Sequence, residues 1–492
     1  MMKIHPTPIR AAALACLLAA SLAGCSSLSH SEYARPALET PVKWQQAPDG
    51  VLESVAISGQ WWKSFNDPAL NSLIDEVLRN NNDLAAAGLL VRRAWLKAGL
   101  AADQQRPTLA ASIDASRARI KDGDATATRS SSATLTLSYE ADLWGRLASV
   151  HDSAEWEAKA TEQDLASTAW ALTATSAKLY WQIAYLNQRV DLATQNIAYA
   201  RRTLAIINAK HTAGAVSGIE LWEALQTLAS QQADLTDLIE QRVEARNALA
   251  ILLNAPPGKT LTVAAYLPQS SLPNVAAGLP AELLGRRPDL RAAELRLRET
   301  LADGDATKAG YYPKLALTGS LGSGSSALLN VLSNPVATLG AGLTLPFLQW
   351  NEMTLSNKVA QLDYEKAVIN FRQTLYAAMA DVENALSARS QYQAKASRLE
   401  LSLTAASGAE KLQAVRYASG AIALKVLLDA EQTRREAEIA LVQNRYNILT
   451  NQVTLYQTLG GNVADAPVAA PGQEPGQLPG QTSGQALGLA SQ

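Results

Sequence analysis

Cysteine is almost missing from this chain of 492 residues: it occurs twice, at Cys16 and Cys25, both near the start. Everything beyond residue 25 therefore lacks a thiol for a disulfide, a metal thiolate or a cysteine nucleophile. Histidine is scarce too, with four in the chain and no metal-spaced cluster. No Gly-x-Ser-x-Gly elbow, His-Glu-x-x-His pair or phosphate loop is present, so neither catalysis nor a cofactor is expected. A basic excess is also absent: the net charge is −2 and the pI about 6.2, which leaves no electrostatic footprint for nucleic acid. Beyond residues 11–23 there is no long apolar run, and that stretch is shorter than the roughly 20 residues a spanning helix needs. Aromatics make up 5% against 48% hydrophobic residues overall. A composition so rich in alanine suits long helices packed in layers better than one thick core.

The short apolar run has the layout of an export signal. Lys3 and Arg10 precede it and Leu22-Ala23-Gly24-Cys25 closes it, the order of positive, apolar and cleavage regions in such signals. The closing tetrapeptide resembles a bacterial lipoprotein box. That resemblance implies a signal peptide over 1–24 and a covalent lipid, such as palmitate, on Cys25. Ser26 in place of an aspartate after the cysteine implies passage to the outer membrane of a Gram-negative bacterium. The plainer alternative is an ordinary signal followed by a chance cysteine.

The rest of the chain repeats itself. Asn82-Asp83-Leu84-Ala85-Ala86-Ala87 falls on Pro288-Asp289-Leu290-Arg291-Ala292-Ala293, an offset of 206. The same offset carries Pro107 to Pro313, Trp144 to Trp350, Gly214 to Gly420 and Leu221 to Leu427 without a gap. The organisation expected is an arm over 25–66, a first repeat over 67–254, a connector over 255–280, a second repeat over 281–460 and a disordered tail over 461–492.

Inside each repeat the hydrophobic period changes. Asp67-Pro68 marks a helix start, with an acidic cap before a proline at the first turn, and one helix is expected to run toward Pro107. Alternation then takes over: Leu109, Ala111 and Ile113, then Ala133, Leu135, Leu137 and Tyr139, share a face opposite Ser112, Thr134, Thr136 and Glu140. Repeat two does the same through Leu315, Leu317 and Leu321, then Leu339, Ala341 and Leu343. Polar loops are expected at 121–130 and 323–335, with Gly322-Ser323-Gly324 as a turn, giving two hairpins. Residues 146–213 then contain neither glycine nor proline, and Leu165, Leu172, Leu179 and Leu186 fall seven apart. This is a coiled-coil seam, in a helix about 100 Å long at 1.5 Å per residue. Gly214 and Gly218 break it before a second stretch, 219–255; repeat two has the matching pair at 352–418 and 422–459, its seam interrupted by Arg389.

Four strands of about ten residues have membrane-spanning length but cannot close, and open edges are not tolerated in lipid. Two copies would give eight strands; three would give twelve and leave room for a lumen. Three is the expected number. Trp144 and Trp350, at the strand-to-helix corners, and Tyr311 and Tyr312, at the start of a strand, could sit at a membrane interface or simply pack the corner. A small soluble sandwich on coiled coils, or a structural coiled-coil lipoprotein, is the rival of a different class.

Longer motifs carry a resemblance. Trp61-Trp62-Lys63-Ser64-Phe65-Asn66-Asp67-Pro68-Ala69-Leu70, Arg286-Arg287-Pro288-Asp289-Leu290, Tyr139-Glu140-Ala141-Asp142-Leu143-Trp144-Gly145-Arg146 and Arg416-Tyr417-Ala418-Ser419-Gly420 are similar to motifs of the TolC-like outer-membrane efflux proteins, the NodT-type lipoprotein subgroup in particular. The resemblance spans nearly all of 25–460. It implies an internally duplicated α + β membrane protein: a homotrimer with a transmembrane barrel of 12 strands continued by a periplasmic barrel of 12 helices. It further implies passive exit for drugs or other small toxic compounds, and hence antibiotic resistance. The implied partners are a periplasmic adaptor and an inner-membrane pump, often of the resistance-nodulation-division class. A duct for type I protein secretion shares the same fold.

By the same resemblance the helix turns are the tips that meet the adaptor, at Gly214, Ser217, Gly420 and Ala421. Where well-known members carry an acidic ring near the tip, this chain has Lys411 beside Glu410. Leu348-Gln349-Trp350-Asn351-Glu352 also departs from the family's strand-to-helix junction. The tips are not equivalent: Gly408 stands where repeat one has Arg202, and Glu410 where it has Leu204. Gly408, Glu410 and Lys411 are therefore the candidate gate, with the second hairpin expected to be the looser one.

Overall fold

The computed structural model describes residues 30–46, 59–119, 127–273, 275, 277–326 and 335–460. The signal peptide, Cys25, the tail over 461–492 and the central parts of both hairpin loops lie outside them. The elements are α1 (Pro68–Asn80), α2 (Asn82–Asp103), β1 (Thr108–Arg119), β2 (Ala127–Ala141), α3 (Arg146–Thr212), α4 (Gly218–Leu252), α5 (Pro288–Gly310), β3 (Lys314–Ser325), β4 (Val336–Thr344), α6 (Trp350–Ala418) and α7 (Leu424–Leu459). The internal offset reappears element by element, since α2, β1 and α4 begin 206 residues before α5, β3 and α7.

The helix expected from Asp67 toward Pro107 is in fact two. Asn81 has extended backbone and its side chain accepts a hydrogen bond from the Leu84 amide, capping α2, while its Nδ2 donates to the Leu252 carbonyl at 3.0 Å. An asparagine that caps and reaches across to another helix outweighs continuous helix propensity. The hairpin loops are shorter than expected. β2 starts at Ala127, and Gly322, Ser323 and Gly324 lie within β3, where Gly322 pairs with Thr134 and Ser325 with Ser131. The glycine-serine run is therefore strand; a Cβ on Gly322 would come within 3.2 Å of the Thr134 hydroxyl.

The four strands form one antiparallel sheet in the order β1-β2-β3-β4. Leu109 pairs with Leu137, Leu135 with Leu321, Tyr139 with Leu317 and Leu315 with Leu343. This register gathers every apolar series onto one face and Ser112, Thr134, Thr136, Thr318 and Thr338 onto the other. The apolar face is bare: Ile113, Leu137, Leu317 and Leu339 are all exposed. Among the described residues, the outer edges of β1 and β4 have no strand partner.

The core lies where the helices cross below the sheet. Trp61 and Trp62 are buried by a short 3-10 turn, with Trp61 stacked on Tyr456 (centroids 5.1 Å) and Phe65 against Trp181. Asp67 caps α1 and also accepts from the Tyr180 hydroxyl at 2.8 Å, so the tryptophan-rich motif bolts the arm to α3 and α7. Arg287 binds Asp289 and the Thr458 carbonyl, which fixes the second repeat's entry to the end of α7. Arg389, which interrupts the seam, donates to the Val275 carbonyl of the connector, as Gln452 does to that of Pro273 and Arg445 to that of Pro268. The connector is thus held by α6 and α7.

Upstream, the arm is strapped to α5. Ser31 donates through its amide and hydroxyl to Asp305, both at 2.6 Å, and Arg35 binds Glu294 through both carboxylate oxygens. Asp305 is 1% exposed. A carboxylate that deep must be matched by donors, and the arm supplies two of them.

Candidate functional site

Each long hairpin turns at a glycine with positive φ, +72° at Gly214 and +75° at Gly420, a conformation that side chains resist. Ala215, Ser217 and Ala421 are exposed beyond these turns. Behind them a small apolar cluster joins the two hairpins: Ile207 of α3, Ala224 of α4 and Leu424 of α7 are buried, with Leu204, Tyr417 and Leu428 packed around them. Lys210 lies over the Tyr417 ring at 4.6 Å.

Deeper along the bundle is a charged layer that the sequence reading missed. Arg434 of α7 binds Glu410 of α6 (2.8 Å) and Glu438 (2.7 Å), and reaches Asn196 of α3 at 3.4 Å. Next to it Glu431, 2% exposed, faces Arg435 and Tyr199. Burial pushes the Glu431 carboxyl up, and burial together with Glu431 pushes the Tyr199 hydroxyl up to about 12. The i to i+4 pair Arg434–Glu438 was legible from spacing; the partner across on α6 was not. Glu410 is therefore a tied residue and not a loose one. Lys411 and Gly408 are exposed, and a Cβ at Gly408 would touch nothing within 4 Å. The sequence reading thus grouped three neighbours of which one, Glu410, joins the network.

The two strand-to-helix corners differ. In repeat one Glu140 clamps Arg146 through both oxygens, Asp142 caps α3 at the Ala148 amide, and Gly145 turns with φ +71°. Trp144 donates to the Pro313 carbonyl at 2.9 Å and its ring lies 5.1 Å from Tyr312, so it packs a corner between the repeats. Repeat two has Pro346 and Leu348 in place of Glu140 and Asp142, and a 3-10 turn, Pro346–Leu348, leads into α6. Trp350 is 69% exposed there. Tyr311 donates to the Ser356 hydroxyl at 2.9 Å. A cleft between the starts of α3 and α6 and the end of α5 is lined by Arg146, Asp303, Lys314, Glu352 and Asp363.

Glu299 of α5 titrates unusually. Burial, with Asp303 and Glu157 adding repulsion, pushes its carboxyl up to about 7. A folded-state value above the ordinary one means that the fold favours the protonated form. Stability is then complete below the usual carboxylate range and lost as pH rises through 7. Glu299→Gln is expected to raise the thermal midpoint at pH 8 and to leave it unchanged at about pH 3.5, below the usual carboxylate range; equal midpoints for the two proteins at pH 8 would contradict this. His151, Asp152 and Glu155 come together on α3, an i to i+4 pairing that the sequence reading passed over, but Glu155 is already held by Lys159 at 2.6 Å.

Comparison with known proteins agrees with this architecture. The profile of the family described as outer membrane efflux protein matches residues 73–255 and again 279–461, once per repeat. Pyoverdine export outer membrane protein OpmQ of Pseudomonas aeruginosa is 34% identical over 436 residues, which is 86% of this chain and 91% of that one. Toxin and drug export protein A of Aggregatibacter actinomycetemcomitans is 29% identical over 456 residues, 92% and 98% of the two chains. The open state of the Neisseria gonorrhoeae MtrE outer membrane channel superposes with a TM-score of 0.77 at 29% identity, covering 88% of this chain and 98% of that one. The chain belongs to this family of TolC-like outer-membrane efflux channels.

Proposed function

We propose that three copies of this chain form the outer-membrane duct of a tripartite pump, receiving small toxic compounds from an inner-membrane transporter through a periplasmic adaptor. The observation that carries this reading is the sheet. It has one apolar face bare across all four strands, one polar face, and two outer edges without a strand partner among the described residues. Only closure with other copies gives such a sheet a stable place in lipid, with the polar face toward a water-filled lumen. The helices α3 and α6, of 67 and 69 residues, supply about 100 Å of wall below it. Among the names of the relatives, those that speak of drug export and pyoverdine export favour small-molecule cargo. A resistance-nodulation-division transporter is the pump that the motif resemblance favours.

A lipid on Cys25 fits the same picture. Ser31 is fixed to Asp305, nine positions before the start of β3 at Lys314. The six residues from Cys25 to Ser31 reach at most about 20 Å, enough to bring an acyl chain to the near leaflet. Since a barrel needs no further anchor, the lipid serves targeting and assembly more than retention.

Cells lacking this chain are expected to retain more ethidium and to become more sensitive to hydrophobic antibiotics, with wild-type protein restoring both. Unchanged retention in cells that express the cognate adaptor and pump would count against the proposal. Loss of a secreted polypeptide in its place would favour type I secretion.

A further inference from the structure

The apolar face of the sheet ends in charge. In the register of β1 on β2, Arg117 stands directly opposite Arg129, and below them Ala115 faces Ser131 and Ile113 faces Ala133. The pairing of Leu109 with Leu137 sets the odd-numbered positions of both strands on one face, so the two arginines continue the line of Ile113 and Leu135. Both are exposed, and neither has an ion-pair partner among the described residues. The only acids of the four strands, Asp114 and Glu140, stand at even positions on the opposite face. Like charges directly across a ladder destabilise it, and the hairpin does not require them: repeat two has Ser323 and Pro335 at the equivalent positions. We infer that Arg117 and Arg129 form a site for the phosphate of a glycolipid headgroup in the outer leaflet of the membrane. This rests on the membrane duct proposed above and adds a lipid held by its wall.

The site has the right height. Arg117 lies eight positions beyond Leu109, and Arg129 ten positions from Tyr139. At about 3.4 Å per residue and a tilt of about 35–45°, these spans rise roughly 19–28 Å along the membrane normal. The apolar band of such a barrel is about 25 Å tall. Its lower end is marked by Trp144 against Tyr312, where α2 and α3 join the strands. With the helices on the periplasmic side, the arginines stand at the far margin of the band, among the headgroups of the outer leaflet. In the outer membrane of a Gram-negative bacterium that leaflet is built of phosphorylated glycolipid.

The chemistry fits a lipid better than a free ion. A guanidinium meets a phosphate through two parallel N–H···O bonds. Two guanidiniums rising from Cβ atoms about 4.5–5.5 Å apart can hold one phosphate between them, and the anion turns their repulsion into attraction. Directly below on the same face, Ile113, Leu135 and Leu321 are exposed. Cation above and hydrocarbon below suit an amphiphile whose chains lie along the wall, whereas inorganic phosphate would use the upper half alone. At the same height the opposite face carries Ser116 paired with Ser130, so the charge is confined to the lipid side.

Native mass spectrometry of the mature trimer in detergent tests the site, with lipid A carrying both phosphates as the probe. Arg117→Gln combined with Arg129→Gln is expected to bind it at least about tenfold more weakly, because hydrogen bonds to a charged partner are lost. Lipid A stripped of its phosphates should bind the wild-type protein no better than the variant binds the intact lipid. Equal affinity of the two proteins for intact lipid A would overturn the inference. Displacement of the lipid by an equal concentration of inorganic phosphate would overturn it too, as a site for any small anion. Should the variant fail to assemble, the two forms of lipid A on the wild-type protein decide the matter, and equal binding of both counts against the site. A wild-type protein that forms no trimer and does not enter bilayers overturns the duct itself.

Discussion

Replacing Ala215 and Ala421 together by tryptophan is expected to abolish efflux while the protein still reaches the outer membrane as a trimer. The two occupy the same place in their repeats, one residue past the glycines with positive φ, and both are exposed. Tryptophan at Gly214 or Gly420 would be a poorer probe. A side chain in the left-handed region costs roughly 1–2 kcal/mol, so lost activity there could come from a broken turn. At 215 and 421 the added bulk projects into the space that an adaptor would enter in the proposed assembly. Ethidium retention should rise to that of cells lacking the chain, with cross-linking to the adaptor lost in parallel. Normal efflux from the double variant would remove the tips as the docking surface.

Arg434→Ala is expected to have an effect of the opposite sense, a channel that leaks. Arg434 joins Glu410 of α6 to Glu438 of α7 and touches Asn196 of α3, so one side chain links three helices. Charge-assisted hydrogen bonds of this kind contribute about 1.5–3 kcal/mol each. Their loss also leaves Glu410 without its cation, beside the buried Glu431. In three copies the change would be felt three times around one opening. Bilayers holding the variant should show higher conductance, and cells without the pump should become sensitive to vancomycin. Arg434→Lys should restore closure in part, since it keeps the charge but not the two-sided fork. Conductance equal to that of the wild type would mean that this layer does not hold the tips together.

Much of this architecture can be read from the residues. A duplication with one fixed offset, strands that alternate and helices free of glycine and proline each leave a periodic trace. That trace survives because the physical cause, a buried face, is itself periodic. Asn81, the middle of Asn80-Asn81-Asn82, escaped because the apolar period runs on past it, and only the structure shows its side chain capping α2 and reaching Leu252. The Gly322–Gly324 run misled for the opposite reason: these glycines stay in the ladder opposite Ser132 and Thr134. Arg389 broke a seam pattern because it serves the connector, and a connector leaves no period. The links of Arg434 to Glu410, of Glu431 to Tyr199 and of Asp305 to Ser31 were invisible because in each pair the partner is distant in sequence and only packing brings the two together. The turns at Gly214 and Gly420 were legible from glycine alone; the docking role proposed for them came from the motif resemblance.

The most direct test of the central claim is the native mass and image of the mature protein extracted in detergent. Expected is a three-fold particle roughly 140 Å long, from about 100 Å of helix and about 40 Å of membrane-spanning barrel, with twelve strands at one end. A single copy, or a dimer that stays soluble without detergent, would contradict the duct and leave a lipoprotein whose bare sheet face has no partner.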